Sequence, residues 1–194
     1  MRFKLVLFLV WIVTTAQAKT DSFLLVSNGK ACPVVLASPT NPVRQAASML
    51  TGDVQAVSGV TPQVSEDLTL LKKEAFAVLA GIPGINKQFD NLLKKHKIDP
   101  SSIMGVWEAY RIQTVSSGNK KIVLVMGSNT LGTVYGLLEI SRLIGVSPWI
   151  WWADATPEHR NEVTLPGNFF KEDKPAVQFR GIFLNDEEDR KSVV

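Results

Sequence analysis

Residues 33–59 read PVVLASPTNPVRQAASMLTGDVQAVSG and predict a buried strand followed by an amphipathic helix. The apolar run at residues 33–37 has the length and composition of a strand that is buried on both faces. Asn41 is a favourable N-cap, Pro42 is a favourable first helical residue, and Gly59 ends the helix. One helical face is apolar and consists of Val43, Ala46, Ala47, Leu50, Val54 and Val57. This unit of strand and helix indicates an α/β fold.

The chain that follows continues to alternate strands with helices. Further strands are predicted at residues 76–80, 107–115, 122–126 and 149–152. Helices are predicted in a polar stretch that ends at residues 94–97 and again at residues 130–144. The alternating strand at 107–115 is expected to be half-exposed, and turn residues join it to the next strand as a hairpin. We therefore expect a small α/β sandwich with a mixed sheet.

Residues 1–18 have the features of a cleavable signal peptide. Arg2 and Lys4 precede an apolar run, and Ala16 and Ala18 are the small residues that a signal peptidase requires. The run is shorter than the roughly 20 apolar residues that span a bilayer. We therefore expect cleavage after Ala18, a periplasmic or secreted protein, and no membrane span in the mature chain.

The C-terminal region predicts the beginning of a second domain. Residues 178–187 read QFRGIFLNDE, an apolar strand that ends in an amide and two acids. Such a strand needs a partner strand and a core, and the few residues after it cannot supply them. We therefore predict an N-terminal α/β domain at 19–153, a polar linker at 154–175, and at 176–188 the first strand of a truncated (β/α)8 barrel.

The last six residues, 189–194, are interpreted separately from the rest. They read DRKSVV, and one DNA sequence that encodes them is GAT CGG AAG AGC GTC GTG. This DNA sequence matches the start of a widely used sequencing-library adapter. We expect this tail to be an artefact without functional information. The alternative is a genuine short polar tail.

Charge and composition exclude several classes of partner and cofactor. Without Arg2, Lys4, Arg190, Lys191 and Asp189, the 21 basic and 18 acidic residues are reduced to 17 of each. This neutral balance argues against nucleic acid or an anionic membrane as the partner. A single cysteine permits neither an internal disulfide nor a structural zinc site, and the two histidines come without spaced ligands. We expect no metal and no cofactor.

Residues 127–133, GSNTLGT, follow a strand and open a helix, where a phosphate-binding loop would lie. The lysine of such a loop is missing, so nucleotide binding is a disfavoured alternative. The preferred interpretation is a helix N-terminus capped by Ser128 or Asn129. Gly132 and Gly136 lie four residues apart in the helix and indicate close backbone packing.

Two clusters are candidates for carbohydrate binding. Trp149, Trp151 and Trp152 with Asp154 could form a platform for a sugar ring, although tryptophans are also common at domain interfaces, an interpretation that we place first. The second cluster, Asn185, Asp186 and Glu187, could bind sugar hydroxyls or supply a catalytic carboxylate, and the alternative is an ordinary polar strand end. Glu187 and the following Glu188 cannot be a catalytic pair, because paired acids flank the scissile bond from separate elements.

Three runs together resemble glycoside hydrolase family 115: GTVYG (132–136), SRLIGVSPWIWWAD (141–154) and RGIFLNDE (180–187). The resemblance implies an exported inverting α-glucuronidase that removes glucuronic acid or its 4-O-methyl ether from xylan. It also implies an N-terminal α/β domain before a TIM barrel, with Asn185 and Asp186 at the start of the active-site rim. The general acid and base belong to later barrel strands, so no catalytic residue is assigned and the 194-residue chain is expected to be inactive.

The partner implied by this resemblance is a polysaccharide or oligosaccharide, namely glucuronoxylan. A stand-alone carbohydrate-binding module that uses the segment at 149–154 is the alternative from a different functional class. The sequence does not indicate an oligomeric state.

Overall fold

The computed structural model describes residues 21–151 and 153–181 of the chain. The predicted signal peptide, residues 182–188 of the predicted barrel strand and the terminal tail lie outside this range. Among the described residues, the helices are too short or too polar to cross a bilayer.

A six-stranded mixed sheet forms the centre of the domain. In spatial order its strands are β4 (Val64–Ser65), β3 (Val34–Leu36), β5 (Phe76–Gly81), β7 (Lys120–Gly127), β6 (Tyr110–Ser117) and β9 (Phe170–Asp173). The first four strands run parallel, whereas β6 is antiparallel to both β7 and β9. Inner parallel strands are covered on both faces, which explains why β3 and β5 are continuous apolar runs. The predicted α/β fold with a mixed sheet is confirmed.

A smaller antiparallel sheet packs beside the first. Its strands are β2 (Lys30–Ala31), β1 (Ser22–Ser27) and β8 (Val163–Pro166), in that spatial order. A two-residue turn joins β1 to β2, and both of its residues, Asn28 and Gly29, have positive φ values of 51° and 69°. This backbone matches the twist of the two strands that the turn connects.

The predicted first helix is confirmed as α1 (Asn41–Ser58), and all six residues of its apolar face are buried. Its N-cap is Thr40 rather than Asn41, and Pro42 still lies in the first turn, where a missing N–H has no cost. Gly59 ends the helix in a left-handed conformation with φ 74°.

Two helices cover opposite faces of the large sheet. The predicted helix at 130–144 is α3 (Thr130–Leu143), which packs beside α1. The predicted polar helix is α2 (Lys87–Lys95), which buries Phe89 and Leu93 against the other face. Successive residues of β3 point to these two cores in turn, because side chains alternate along a strand.

The hairpin of β6 and β7 is confirmed, but its first strand differs from the prediction. The loop is Gly118-Asn119, with Gly118 at φ 60°. β6 begins at Tyr110 rather than at residue 107, because Glu108 adopts a left-handed φ of 47° that ends the extended backbone. The first three residues of β6 are all buried, so the expected half-exposure was wrong for this part of the strand. Pairing with β9 makes β6 an inner strand, which the sequence pattern did not reveal.

The segment at 154–175, predicted to be a linker, contains β8 and β9, so the prediction was wrong for these two strands of four residues each. β8 alternates buried with exposed residues, because it is an edge strand of the smaller sheet and has one face toward solvent. The described part of the predicted barrel strand, residues 176–181, is not in a strand.

Candidate functional site

The tryptophan-rich segment is a turn of 3-10 helix at Pro148–Trp151, so the predicted aromatic strand was wrong. Pro148 presets the φ of a helical first turn, and the Ser147 hydroxyl accepts a hydrogen bond from the Trp149 N–H at 3.2 Å. The Ala153 N–H donates to the Trp149 carbonyl at 2.8 Å.

Only part of the predicted sugar-binding set falls within the described residues. Trp149 is 63% exposed. Asp154 is exposed with a positive φ of 48°, and its carbonyl accepts from the Thr156 N–H at 2.7 Å. The Trp151 side chain, Trp152, Asn185 and Asp186 lie outside the described parts of the chain. The sugar-binding assignment therefore stays a prediction.

The glycine-rich start of α3 is a packed helix N-terminus, as predicted. The Asn129 side chain accepts from the Gly132 N–H at 2.9 Å and caps the helix. A Cβ on Gly132 would overlap the Ala109 carbonyl oxygen, and one on Gly136 would lie 2.5 Å from a Val125 methyl group. Both glycines are needed because α3 lies directly against the neighbouring backbone and sheet.

A groove of about 840 Å³ lies between α1 and α3 and reaches the tryptophan-rich turn. Residues of α3 and β6 line one side of it, including Tyr110, Tyr135 and Glu139. Residues of α1 line the other side, and Ile150 lies at its end. The groove therefore combines apolar walls with several groups that can form hydrogen bonds.

Glu139 is the acid with the most elaborate surroundings in this groove. Its side chain is 9% exposed, and its carboxylate forms ion pairs with Arg142 Nη2 at 2.6 Å and with Lys171 Nζ at 2.8 Å. Burial alone would raise the pKa of Glu139, but hydrogen bonds from Arg142 and Lys171 outweigh it and lower that pKa. Glu139 is thus a fixed anion that attaches β9 to α3, and it is poorly suited to donating a proton.

Two further groups in the groove have shifted pKa values. Burial raises the pKa of Asp53, and the neighbouring Ser141 hydroxyl offsets part of this effect. Burial also raises the pKa of Tyr110, and the negative charges of Glu139 and Asp173 raise it further. At neutral pH the Tyr110 hydroxyl is therefore protonated and can donate a hydrogen bond.

Sequence reasoning missed this groove, although the residues that line it recur at a regular spacing in the two predicted helices. One stripe of α3 consists of Tyr135, Leu138, Glu139 and Arg142. One stripe of α1 consists of Met49, Gly52, Asp53 and Ala56. Each stripe follows the i, i+3, i+4, i+7 spacing that places residues on one helical face. The mixed polarity of both stripes made them resemble ordinary solvent-facing surface.

The described residues contain no cluster of three or more His, Cys, Asp or Glu side chains that could hold a metal ion. Cys32 is buried, and burial raises the pKa of its thiol to about 12, which makes it a poor nucleophile. His159 is exposed, whereas His96 is half-buried, and burial and the neighbouring Lys95 lower the pKa of His96.

A second polar cluster connects the start of α3 to the C-terminal segment. Arg180 Nη2 forms an ion pair with Glu108 Oε2 and donates to the Tyr135 hydroxyl at 2.9 Å. The guanidinium also lies over the Tyr135 ring, with its central carbon 5.3 Å from the ring centroid. Tyr110 and Tyr135 line both this cluster and the groove, so the two sites are contiguous.

Solved structures of glycoside hydrolases resemble the chain. A family GH115 4-O-methyl-α-glucuronidase, BtGH115A, with specificity for decorated arabinogalactans, is 37% identical over 86% of the chain, with a TM-score of 0.67. The GH84 protein CpGH84D is 15% identical over 69% of the chain and 21% of its own, with a TM-score of 0.46. A Streptomyces plicatus β-hexosaminidase mutant in complex with its product GlcNAc is 12% identical over 81% of the chain and 24% of its own, with a TM-score of 0.47.

No protein-family model and no curated protein matches the chain. The chain spans 20% of the length of the GH115 enzyme that it resembles. The match covers most of the chain, and the three sequence runs at residues 132–136, 141–154 and 180–187 resemble the same family independently. Over most of its length the chain therefore resembles the corresponding region of a glycoside hydrolase of family 115.

Proposed function

We propose that the chain is the N-terminal region of an exported, inverting α-glucuronidase that removes glucuronic acid or its 4-O-methyl ether from a polysaccharide. The observation that supports this proposal is the 37% identity with a 4-O-methyl-α-glucuronidase over 86% of the chain. The proposed region is an ancillary domain, and the catalytic barrel follows it in the whole protein.

The surroundings of the buried acids support an ancillary role for this domain. Inverting hydrolysis requires one carboxylic acid that gives a proton and one carboxylate that activates water. Glu139 is held by Arg142 and Lys171, and Glu108 by Arg180, so both acids are committed to ion pairs. The catalytic pair in this proposal therefore lies on barrel strands outside the described residues.

The polymer that carries the uronic acid has two candidates. Glucuronoxylan is the substrate that we propose from the sequence resemblance. Decorated arabinogalactan is the second candidate, because the similar GH115 enzyme has specificity for it. The terminal α-linked uronic acid is common to both, and its carboxylate and methyl ether are the groups that the active site would recognise.

The first test is an assay of the whole gene product on both polymers. Purified enzyme is incubated with glucuronoxylan oligosaccharides and with decorated arabinogalactan, and released uronic acid is measured by chromatography. Proton NMR during the first minutes identifies the anomer, and an inverting enzyme releases the β-anomer from an α-linkage. If neither polymer releases uronic acid, the proposed activity is refuted. Initial release of the α-anomer would refute inversion.

A second test uses the 194-residue chain itself. We expect it to release no uronic acid, because the catalytic pair belongs to the missing barrel. Release at a rate comparable with that of the whole enzyme would overturn the ancillary role. We also expect the exported protein to begin at Lys19, which N-terminal sequencing of the extracellular or periplasmic form would check.

A carbohydrate-binding module is the second candidate, and the exposure of Trp149 is the observation that favours it. Affinity electrophoresis in xylan gels would test it with Trp149→Ala, Trp151→Ala and the exposed control Trp107→Ala. Retardation of the parent that is lost in the first two variants, but kept in Trp107→Ala, would support binding. Unretarded migration of the parent would exclude it.

A further inference from the structure

Glu108 is an acid in an unusual position. Its backbone has a left-handed φ of 47°, which residues other than glycine adopt infrequently. Its side chain is only 7% exposed. A carboxylate in such surroundings needs a cationic partner, since burial removes its hydration. Arg180, which lies 72 positions further along the chain, supplies that partner.

The backbone beneath Glu108 is fixed by the start of α3. The Ser128 N–H donates to the Ala109 carbonyl at 2.9 Å, and the absence of a side chain at Gly132 lets α3 lie against that same carbonyl. Tyr135, one turn further along α3, provides the ring and hydroxyl that Arg180 contacts. The GTVYG run and Arg180 therefore meet at one cluster of contacts.

Little else holds the C-terminal segment at this point. Val177 is exposed and Phe179 is 89% exposed, so neither apolar neighbour of Arg180 packs on the domain. Arg180 Nη1 also donates to the Val177 carbonyl at 3.1 Å, which fixes the local bend of the segment. Within the described residues 174–181, Arg180 is therefore the residue whose side chain forms polar contacts with the rest of the domain.

We propose that Arg180 is a positioning residue, a clamp on Glu108 and Tyr135 that sets the direction in which the chain leaves the α/β domain. The clamp holds Gly181 in place, and Asn185 and Asp186 follow within six residues. Their role at the substrate rests on the proposed function, whereas the clamp rests on the contacts of Arg180. In the whole enzyme, the clamp would orient the first barrel strand relative to the ancillary domain.

The test measures the distance between the clamped segment and α1 in the 194-residue chain. Spin labels are placed at Gln55→Cys, which is exposed on α1, and at Phe179→Cys. The native Cys32 stays unlabelled, because burial raises the pKa of its thiol to about 12. Pulsed electron spin resonance then gives the distribution of label distances.

We expect one narrow distribution in the doubly labelled parent and a broad one after Arg180→Ala or Glu108→Gln. Arg44→Ala is the matched control, because Arg44 also forms an ion pair, with Glu66, but does not contact the segment. It should keep the narrow distribution. Circular dichroism establishes that each variant has kept its helices and sheets.

A broad distribution in the parent, or a narrow one in Arg180→Ala, would overturn the clamp. Arg180→Lys keeps the charge but loses the planar group over the Tyr135 ring, and we expect an intermediate width. If the distribution in Arg180→Lys is as narrow as in the parent, the role of the Tyr135 ring is refuted. No substrate is present in these measurements, so they can fail while the glucuronidase assay succeeds, or succeed while it fails.

Discussion

Residues 33–147 and residues 148–181 differ in how much their attachment depends on ion pairs. In the first region, strands and helices are attached by apolar side chains that are buried on both faces of a central sheet. In the second region, β8 and β9 pair with neighbouring strands, and three ion pairs add further connections: Arg111 with Glu172, Lys171 with Glu139, and Arg180 with Glu108. Apolar burial leaves a periodic pattern in the sequence, whereas ion pairs between distant residues leave none.

The Arg111 cluster illustrates the second kind of attachment. Arg111 on β6 forms an ion pair with Glu172 on β9 and donates to the Asp99 carbonyl at 2.7 Å. Its guanidinium also lies over the Phe170 ring, 5.5 Å from the centroid. One buried arginine therefore joins the last strand of the sheet to a loop that is 70 residues earlier in the chain.

The largest expected effect is a cavity in the apolar region. Leu50→Ala removes a fully buried side chain from α1 and should lower the free energy of unfolding by about 2–5 kcal/mol. The neighbouring Met49 is 47% exposed, and Met49→Ala should change the free energy of unfolding by no more than about 0.5 kcal/mol. Urea denaturation followed by circular dichroism measures both. Equal effects would contradict the difference in burial.

Next is the close contact of α3 with the backbone before β6. Gly132→Ala places a methyl group against the Ala109 carbonyl and should destabilise the fold by about 1–3 kcal/mol. Gly52 is also helical, but a Cβ there would meet no atom within 4 Å. Gly52→Ala should therefore stabilise the fold by about 0.5–1 kcal/mol through helix propensity. Opposite signs in urea titrations are the expected result, and the same sign in both would refute the packing argument.

An intermediate effect is expected for the ion pairs that hold β9. Glu139→Gln should cost about 1.5 kcal/mol at pH 7, because Arg142 and Lys171 lose their charged acceptor. The folded-state pKa of Glu139 is lowered, so its contribution is complete above the unfolded pKa of about 4.3 and is lost as pH falls through the folded pKa. The difference between parent and variant in urea titrations should therefore shrink below about pH 4. A constant difference from pH 7 to pH 3 would contradict this account.

The smallest effect is expected at a surface ion pair. Arg44 and Glu66 lie 2.7 Å apart, but about half of each side chain is exposed. Water and salt screen such pairs, so Arg44→Ala should leave the midpoint of urea denaturation unchanged. A midpoint shift as large as that of Glu139→Gln would mean that burial does not decide which ion pairs matter.

Sequence reasoning found the elements that a local apolar pattern or a local cap marks. The strand at Val34–Leu36, the face of α1 and the capped start of α3 follow from local pattern and from residues such as Gly59 and Asn129. β8 and β9 were not found, because strands of four residues with polar faces resemble loops. The turn at Pro148–Trp151 was read as a strand, since aromatic residues favour strands and the capping role of Ser147 was overlooked.

The candidate sites were less predictable than the fold. Asp154 and the tryptophans were selected for their chemistry, but the groove and the Arg180 cluster depend on residues far apart in the sequence. Glu108 and Arg180 are an example, because the acid becomes buried only through the left-handed turn that precedes β6. No local pattern indicates which distant arginine will pair with it.

The two edge strands of the six-stranded sheet limit how a further strand can pair with it. One edge strand is β4, which has only two residues, and the other is β9, which contains Lys171, Glu172 and Asp173. A short edge and a charged edge both discourage pairing with a further strand, and they protect the protein from edge-to-edge aggregation. We therefore expect the proposed neighbouring domain to assemble against helical or loop surfaces, such as the groove beside Tyr135, rather than to lengthen the sheet.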